Sequence, residues 1–502
     1  VARNDVPDEV PEVDLEVTKP NPKTMLSKPA DPTFERSERD IRRIKKAKHF
    51  AVTSAQNNTE VDAGFLRALE HWAAERKGEL LVQPMRYKNP TSRRDPQEDT
   101  DSGYWWAPEV EPYLVENDIL LNDHLAFMAG MRIQATSSRP LAQLDSRSKG
   151  RSAIYGHSQL SMRTVATPHQ RLPKLLYTTG AVTKKNYSTT KAGNLAAFHH
   201  SPSAIVVEIR GSRFHAREVT WDGESFIDYD RRYTAEGSAP APPVLALVTG
   251  DEHAWFNDPD VRRATYDAKD SVVAALRPPM IVRHDLFDCY SVSPHHFQRR
   301  LTRAVKTREG WGSLKRELDD TLRFLEATTP SGVKNIIVNA NHHDQLFRWL
   351  QSGEKFVEPE NLELYYWLNW KMLAEARMTE NGVKHPDPFE LYAREYELLA
   401  DVRWLGPDDS LVVGSVELGM HGHLGPNGAR GTVQNLSKIG LRSIVGHSHS
   451  PGIFEGAYQV GTSSRLRLEY NPGPSSWLNT HAVVHANHRR QMIHIIDGHW
   501  RG

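Results

Sequence analysis

The chain has 502 residues, 38% hydrophobic and 25% charged, with 63 basic residues against 63 acidic ones. A chain this long is expected to hold two domains, and a zero formal charge excludes a whole-molecule field that would draw it to nucleic acid. Cys289 is the single cysteine, which excludes an internal disulfide and fits a reducing cytoplasm, and no apolar run has the length of a membrane span or a secretory signal.

Residues 1–40 are rich in Pro, Asp, Glu and Lys without a hydrophobic period and read as a disordered tail. A first domain is expected over 41–235. Residues 49–54 form a short apolar strand. Phe65, Leu66, Leu69, Trp72 and Ala73 then recur at helical spacing, and 80–84 returns as a strand. That is a β-α-β unit, so the domain opens as α/β. Runs at 205–209, 214–220 and 225–230 follow as a β meander. Gly, Ser, Ala and Pro at 236–243 mark a linker.

A second domain is expected over 244–502. Strands are predicted at 244–248, 280–282, 335–338, 411–416 and 442–445. Helices are predicted at 258–276, with Asp258 as N-cap, and at 314–328. Metal-ligand residue types follow every one of the five strands. The first leads to Gly250-Asp251-Glu252-His253, and the second to His284-Asp285-Leu286-Phe287-Asp288. The third leads to Asn339-Ala340-Asn341-His342-His343-Asp344, the fourth to Met420-His421-Gly422-His423, and the fifth to Gly446-His447-Ser448-His449. Ligand sites of open α/β sheets form outside the carboxyl ends of strands. Carboxylate, amide-oxygen and imidazole donors arriving from five strand ends supply enough ligands for two divalent ions.

The order Asp-x-His, Asp, Asn-His, His, Gly-His-x-His resembles the calcineurin-like metallophosphoesterase superfamily, over roughly residues 244–496. The resemblance implies a β-sandwich flanked by helices. It implies that Asp251, His253, Asp285 and His449 hold one metal and that Asp285, Asn341, His421 and His447 hold the other, with Asp285 bridging. His342 matches the histidine that protonates the leaving oxygen. The sequence departs from the family at His284 and Ala340, where glycines are usual. The extra His343 leaves the proton donor open between His342 and His343, and His423 rivals His421 as ligand. Asp288 and Asp344 read as residues that orient ligating groups. The Asp-Arg-Gly signature of phosphoprotein phosphatases is absent after Asp288.

Further segments include Thr53-Ser54-Ala55-Gln56-Asn57-Asn58-Thr59, Tyr87-Lys88-Asn89-Pro90-Thr91 and Lys149-Gly150-Arg151-Ser152-Ala153-Ile154. Thr178-Thr179-Gly180-Ala181-Val182, Lys184-Lys185-Asn186-Tyr187, Lys191-Ala192-Gly193 and His199-His200 follow. With the C-terminal set, they resemble the early host-DNA-degrading nucleases of T-five-like tailed phages. That resemblance implies a DNase of the infected bacterium's cytoplasm, with two divalent ions, manganese or magnesium in its place. Backbone phosphates need basic contacts beside the metals. Arg299, Arg300 and Arg303, within the run His295 to Arg308, and Arg430 are the expected DNA contacts. Runs at 42–48 and 147–151 are further basic patches. The expected partner is DNA, not a membrane, and a homo-oligomer is left open. Two rival readings also stay open: a small-molecule phosphodiesterase or phosphatase, and a partner-binding scaffold without catalysis.

Overall fold

The computed structural model describes residues 47–88, 104–168 and 171–502. The expected tail, most of the 42–48 basic run and Asn89-Pro90-Thr91 lie outside them.

The first strand, His49–Gln56, is buried along almost its whole length. Asp62 ends the following turn and caps the helix Ala63–Glu75, its carboxylate accepting from the Phe65 N–H. Phe65, Leu66, Leu69, Trp72 and Ala73 form the buried face that their spacing predicts. Gly78 then passes the first strand so closely that a Cβ would sit 2.6 Å from the His49 carbonyl. The strand Glu79–Met85 returns parallel to the first, Phe50 opposite Glu79 through Gln56 opposite Met85. The hairpin Ser203–Arg210 and Arg213–Thr220 completes a four-stranded sheet. On it Arg217, fully buried, donates to Asp228 and Glu208.

The segment expected as a linker contains the strand Gly237–Pro240, paired with Arg231–Thr234. Five strands before it and five after it also join in one ten-stranded sheet. The seam is Gly452–Phe454 against His157–Val165, with Gly452 opposite Arg163 and Ile453 opposite Met162. The composition of 236–243 reported a polar surface segment, not a boundary between separate sheets.

A second sheet of six strands carries much of the predicted C-terminal pattern. Its order is Val402–Leu405, Lys334–Val338, Met280–Arg283, Ala246–Val248, Thr480–Val484, Arg490–His494, the first four mutually parallel and Thr480–Val484 antiparallel to both of its neighbours. Period-two alternation divides its side chains. Ala246, Val248, Val282, Ile336, Val338 and Val484 enter a core shared with Val416, Ile444, Ile453 and Tyr458 of the ten-stranded sheet. Leu247, Ile281 and Val483 face the helical cover of Val261, Val272 and Leu276. Ile337 packs with Leu318, Leu322, Leu346 and Trp349 from two longer helices. Trp349 is wholly buried, and such a side chain costs about 3–5 kcal/mol when cut to Ala.

Three expectations change. Asp258 does cap a helix, but the helix ends at Arg262, continues as a wide turn over Arg263–Asp267 and restarts at Val272 under a Ser271 cap. Ser271 accepts from the Ala274 N–H and so starts a new helix within the predicted one. The predicted strand 411–416 folds back at Gly414 and Ser415, both at positive φ, into the pairs Val412–Val413 and Val416–Glu417. Those strands and Arg442–Val445 belong to the ten-stranded sheet, so the five loops with candidate ligands come from two sheets. Among the described residues no helix is long and apolar enough to cross a membrane.

Candidate metal centre

The loop after Ala246–Val248 turns back at once: His253 sits at φ 47°. After Met280–Arg283 the chain reaches Asp285 at φ 42°, and after Arg442–Val445 it passes His447 and His449 at φ 78° and 58°. Left-handed backbone is uncommon for residues with a Cβ, and it concentrates where the surrounding fold over-determines a functional geometry. Gly446 has no substitute here, because a Cβ would lie 2.3 Å from Asp251 Oδ1. The buried Arg283–Glu252 pair supports these turns. Arg283 donates to both Glu252 oxygens at 2.9 and 3.0 Å, to Asn335 Oδ1 at 2.7 Å and to the Thr328 carbonyl at 3.0 Å. It thereby ties the first loop to the second and third parallel strands.

Asp251, His253, Asp285 and His449 are buried and offer one ligand atom each within 4.8 Å of one another, a group able to hold a metal ion. His253 Nε2 lies 3.0 Å from His449 Nε2, and His449 Nε2 lies 3.0 Å from Asp251 Oδ2. Asp288 takes the other face of His253, Oδ1 to Nδ1 at 2.9 Å, and its second oxygen accepts from the Trp255 N–H. Asp288 therefore sets the ring's orientation.

A second set of donors meets around Asn341 Oδ1 and Asp285 Oδ2. His421 Nε2 lies 3.1 Å from Asp285 Oδ2 and 3.1 Å from Asn341 Oδ1, and His447 Nδ1 lies 2.9 Å from the same Asn341 oxygen. Asn341 is the first residue of the helix Asn341–Gln351, which begins directly after a buried Ala340. The His447 N–H donates to Asp251, linking the two sets. Asp285 Oδ1 is buried without a hydrogen-bond partner. Carboxylate, amide and imidazole groups converging around an unsatisfied carboxylate oxygen fit a divalent cation better than they fit a hydrogen-bonded core.

The electrostatics are those of a charge-dense pocket. Burial alone would raise the Asp251 carboxyl, yet the neighbouring His421 and His449 hold it down at about 2. Burial would lower the His253 imidazole, but the Asp288 hydrogen bond and charge lift it to about 9. Burial and the neighbouring His421 push His447 down to about 4.

The ambiguous histidines separate by their partners. His342 Nδ1 meets the Asp288 carbonyl at 2.5 Å, and its Nε2 lies 3.9 Å from Asp285 Oδ2. His343 is committed to Asp387, Nδ1 to Oδ2 at 2.7 Å. His423 lies 3.4 Å from Asp344, whereas His421 meets Asp285 and Asn341. Asp344 thus sits beside His423 and not beside the clustered donors that it was expected to orient. His284, where the family has glycine, is a buried ring 3.3 Å from His421.

The expected DNA contacts are scattered. Arg430 is exposed and lines a cleft of about 850 Å³ that also reaches His447 and Ser448. Arg300 is exposed, Arg299 pairs with Glu469 at 3.1 Å and Arg303 with Glu358 at 2.7 Å. His296 and Lys306 of the same run are buried, Lys306 donating to the Tyr290 carbonyl, so the run is not one continuous basic face. The 147–151 patch loses Arg151, which is buried and donates to the Asp123 carbonyl. Trp477, packed edge-on 4.1 Å from the His449 ring, had no signal in the sequence beyond its residue type.

No family model matches the chain, and no solved structure matches it. Protein A1 of Escherichia phage T5 is 29% identical over 470 residues, which cover 91% of this chain and 83% of that protein.

Proposed function

We propose that this chain is a two-metal phosphodiester hydrolase acting on DNA, with the metallophosphoesterase-type arrangement that its motifs resemble. The observation that carries the reading is Asp285, a buried carboxylate grouped with Asp251, His253 and His449 and also 3.1 Å from His421, which with His447 meets Asn341 Oδ1. One set would hold each ion, with Asp285 between them. Manganese or magnesium, when bound, would neutralise phosphate oxygens and acidify a water.

The chain's own groups supply the rest. His342 donates Nδ1–H to the Asp288 carbonyl, so it would serve as donor to the leaving sugar oxygen as an imidazolium, giving up the second proton on Nε2. The pairing of His343 with Asp387 favours His342 over its neighbour in that role. Asp288 holds His253 in register. Arg430, on the cleft that reaches His447, would meet a flanking phosphate, and Arg299, Arg300 and Arg303 would meet backbone farther along. Similarity to a phage protein supports a phage setting, in which the substrate would be host DNA in the bacterial cytoplasm.

The test is incubation of the purified chain with duplex DNA, with manganese or with EDTA, read on a gel. Metal-dependent loss of duplex supports the reading. Hydrolysis of nucleotide diesters with intact DNA would replace it by the small-molecule reading, and no hydrolysis of either by the scaffold reading.

A further inference from the structure

The cleft that reaches His447 and Ser448 is built by both halves of the chain. Arg430 to Gln434 line it from the C-terminal half, and Arg139 to Ala142 line it from the N-terminal half. Residues of His157–Val165 and Gly452–Phe454, the strand pair that joins the ten-stranded sheet across the chain, line it as well. Its volume of about 850 Å³ lies in the upper part of the ~300–1,000 Å³ range of pockets that enclose drug-sized ligands, more space than one phosphodiester group needs.

Both wall segments are held by their own backbone. Arg139 opens a turn in which its carbonyl accepts from the Ala142 N–H at 3.0 Å, with Pro140 at the second position, where a fixed φ suits the turn. Pro140 and Leu141 are buried, Leu141 in a cluster with Met128, Tyr155 and Leu176, so the turn is pinned inward while Arg139 stays exposed. Arg430 stands in a loop that doubles back on His421-Gly422-His423. The Gly431 N–H donates to the His423 carbonyl at 2.9 Å, and a Cβ on Gly431 would lie 1.8 Å from the Gly422 carbonyl.

Charge is segregated in this cleft. The chain holds 63 basic and 63 acidic residues, so an average stretch of its surface carries both signs. The lining instead holds three arginines, Arg139, Arg163 and Arg430, and no Asp or Glu. Arg163 is paired with Asp145, which lies outside the lining. Arg139 and Arg430 are exposed and make no ion pair among the described residues. Guanidinium groups free of carboxylate, with hydroxyls such as those of Thr164, Thr432 and Ser450 in the same lining, are the usual partners of backbone phosphate.

From the two unpaired arginines, the absence of carboxylates from the lining and the continuity with His447, we infer that a polynucleotide strand lies along this cleft, with Arg430 and Arg139 as phosphate contacts from the two halves of the chain. The inference rests on the phosphodiesterase reading for what happens where the cleft reaches the candidate metal centre. It gives the N-terminal half a direct part in holding the substrate, through a residue of the turn at 139–142.

The experiment is anisotropy titration of a labelled single-stranded oligodeoxynucleotide with the full chain, in EDTA, across a salt series, so that hydrolysis takes no part. Arg139→Ala and Arg430→Ala should each lower the slope of log affinity against log salt by about one unit, and together by about two. Arg67→Ala, a change to an exposed arginine of the helix Ala63–Glu75 outside the cleft, should leave the slope as it is. In manganese, Arg139→Ala should raise KM for the oligonucleotide more than it lowers kcat. An unchanged slope in Arg139→Ala, or an equal fall in Arg67→Ala, would overturn the inference, as would a failure of the unaltered chain to bind. Binding with the expected slopes but without cleavage in manganese would keep the strand in the cleft and remove the phosphodiesterase reading.

Discussion

The Nε2 atoms of His253 and His449 face each other across 3.0 Å inside the protein. Two ring nitrogens at that separation share either one proton or one cation. Asp251, 3.0 Å from the second ring, and Asp285 close the same space with two carboxylates, which favours the cation. Manganese at about a hundred times its Kd should then stabilise the fold by about 2.7 kcal/mol, read as a rise in Tm. His449→Ala should retain part of that rise, because the set around His421 remains. Asp285→Asn should lose most of it and depress turnover more than any single histidine change. Near-normal turnover of Asp285→Asn in manganese would remove Asp285 from the bridging position.

Much of this centre is legible in the sequence because each donor sits within a few residues of an apolar strand, and strand ends are where α/β folds expose their loops. Its support is not legible. The Arg283–Glu252 pair joins residues 31 apart through a buried contact that no local pattern announces. Nor does any spacing report that Val416–Glu417 and Arg442–Val445 pair into a sheet begun by N-terminal strands. Sheet partnership is decided by tertiary packing, and short apolar runs look alike in either sheet. At 236–243, likewise, Gly, Ser and Pro mark a solvated edge strand as readily as a linker.

The Arg217 cluster gives an acid-sensitivity prediction remote from the metal centre. Burial alone would raise the Asp228 carboxyl, but Arg217 outweighs it and holds the group at about 2, below its ordinary 3.8. A depressed folded value contributes stability that is complete above the unfolded value. That contribution should fade as pH falls from 3.8 toward 2. Asp228→Asn should flatten the pH dependence of Tm in that window. Arg217→Met, which leaves Asp228 with only the longer Arg76 pair at 3.6 Å and takes from Glu208 its hydrogen-bonded cation, should cost about 3–5 kcal/mol. An unchanged acid limb in Asp228→Asn would mean that other carboxylates govern acid unfolding.

DNA affinity should depend most on the arginines that hold no carboxylate. Arg299 and Arg303 are paired with Glu469 and Glu358, whereas Arg300 and Arg430 make no ion pair among the described residues. Arg430→Ala and Arg300→Ala should each lower the slope of log affinity against log salt by about one unit. Arg303→Ala should lower it less, since Glu358 already holds that guanidinium and leaves less of it for phosphate. Anisotropy titrations of labelled duplex across a salt series give the slopes. If neither Arg300→Ala nor Arg430→Ala moves the slope, the DNA lies on another face.

His342 gives the sharpest test of chemistry. Its Nδ1–H is held by the Asp288 carbonyl, so the proton it would give a substrate is the second one, on Nε2 of the imidazolium. Removing a positioned proton donor usually costs about 10²- to 10⁴-fold in rate. His342→Ala should show that loss on DNA, whose leaving sugar oxygen must be protonated, while keeping its manganese-dependent rise in Tm. The loss should shrink on a nitrophenyl phosphodiester, whose leaving group departs as a stable anion. His343→Ala is the control with a different expected signature. It strips the partner from Asp387, so it should lower Tm and slow both substrates alike. Leaving-group dependence in His343→Ala and none in His342→Ala would exchange the two roles. Leaving-group dependence in neither would assign the proton to a group other than these histidines.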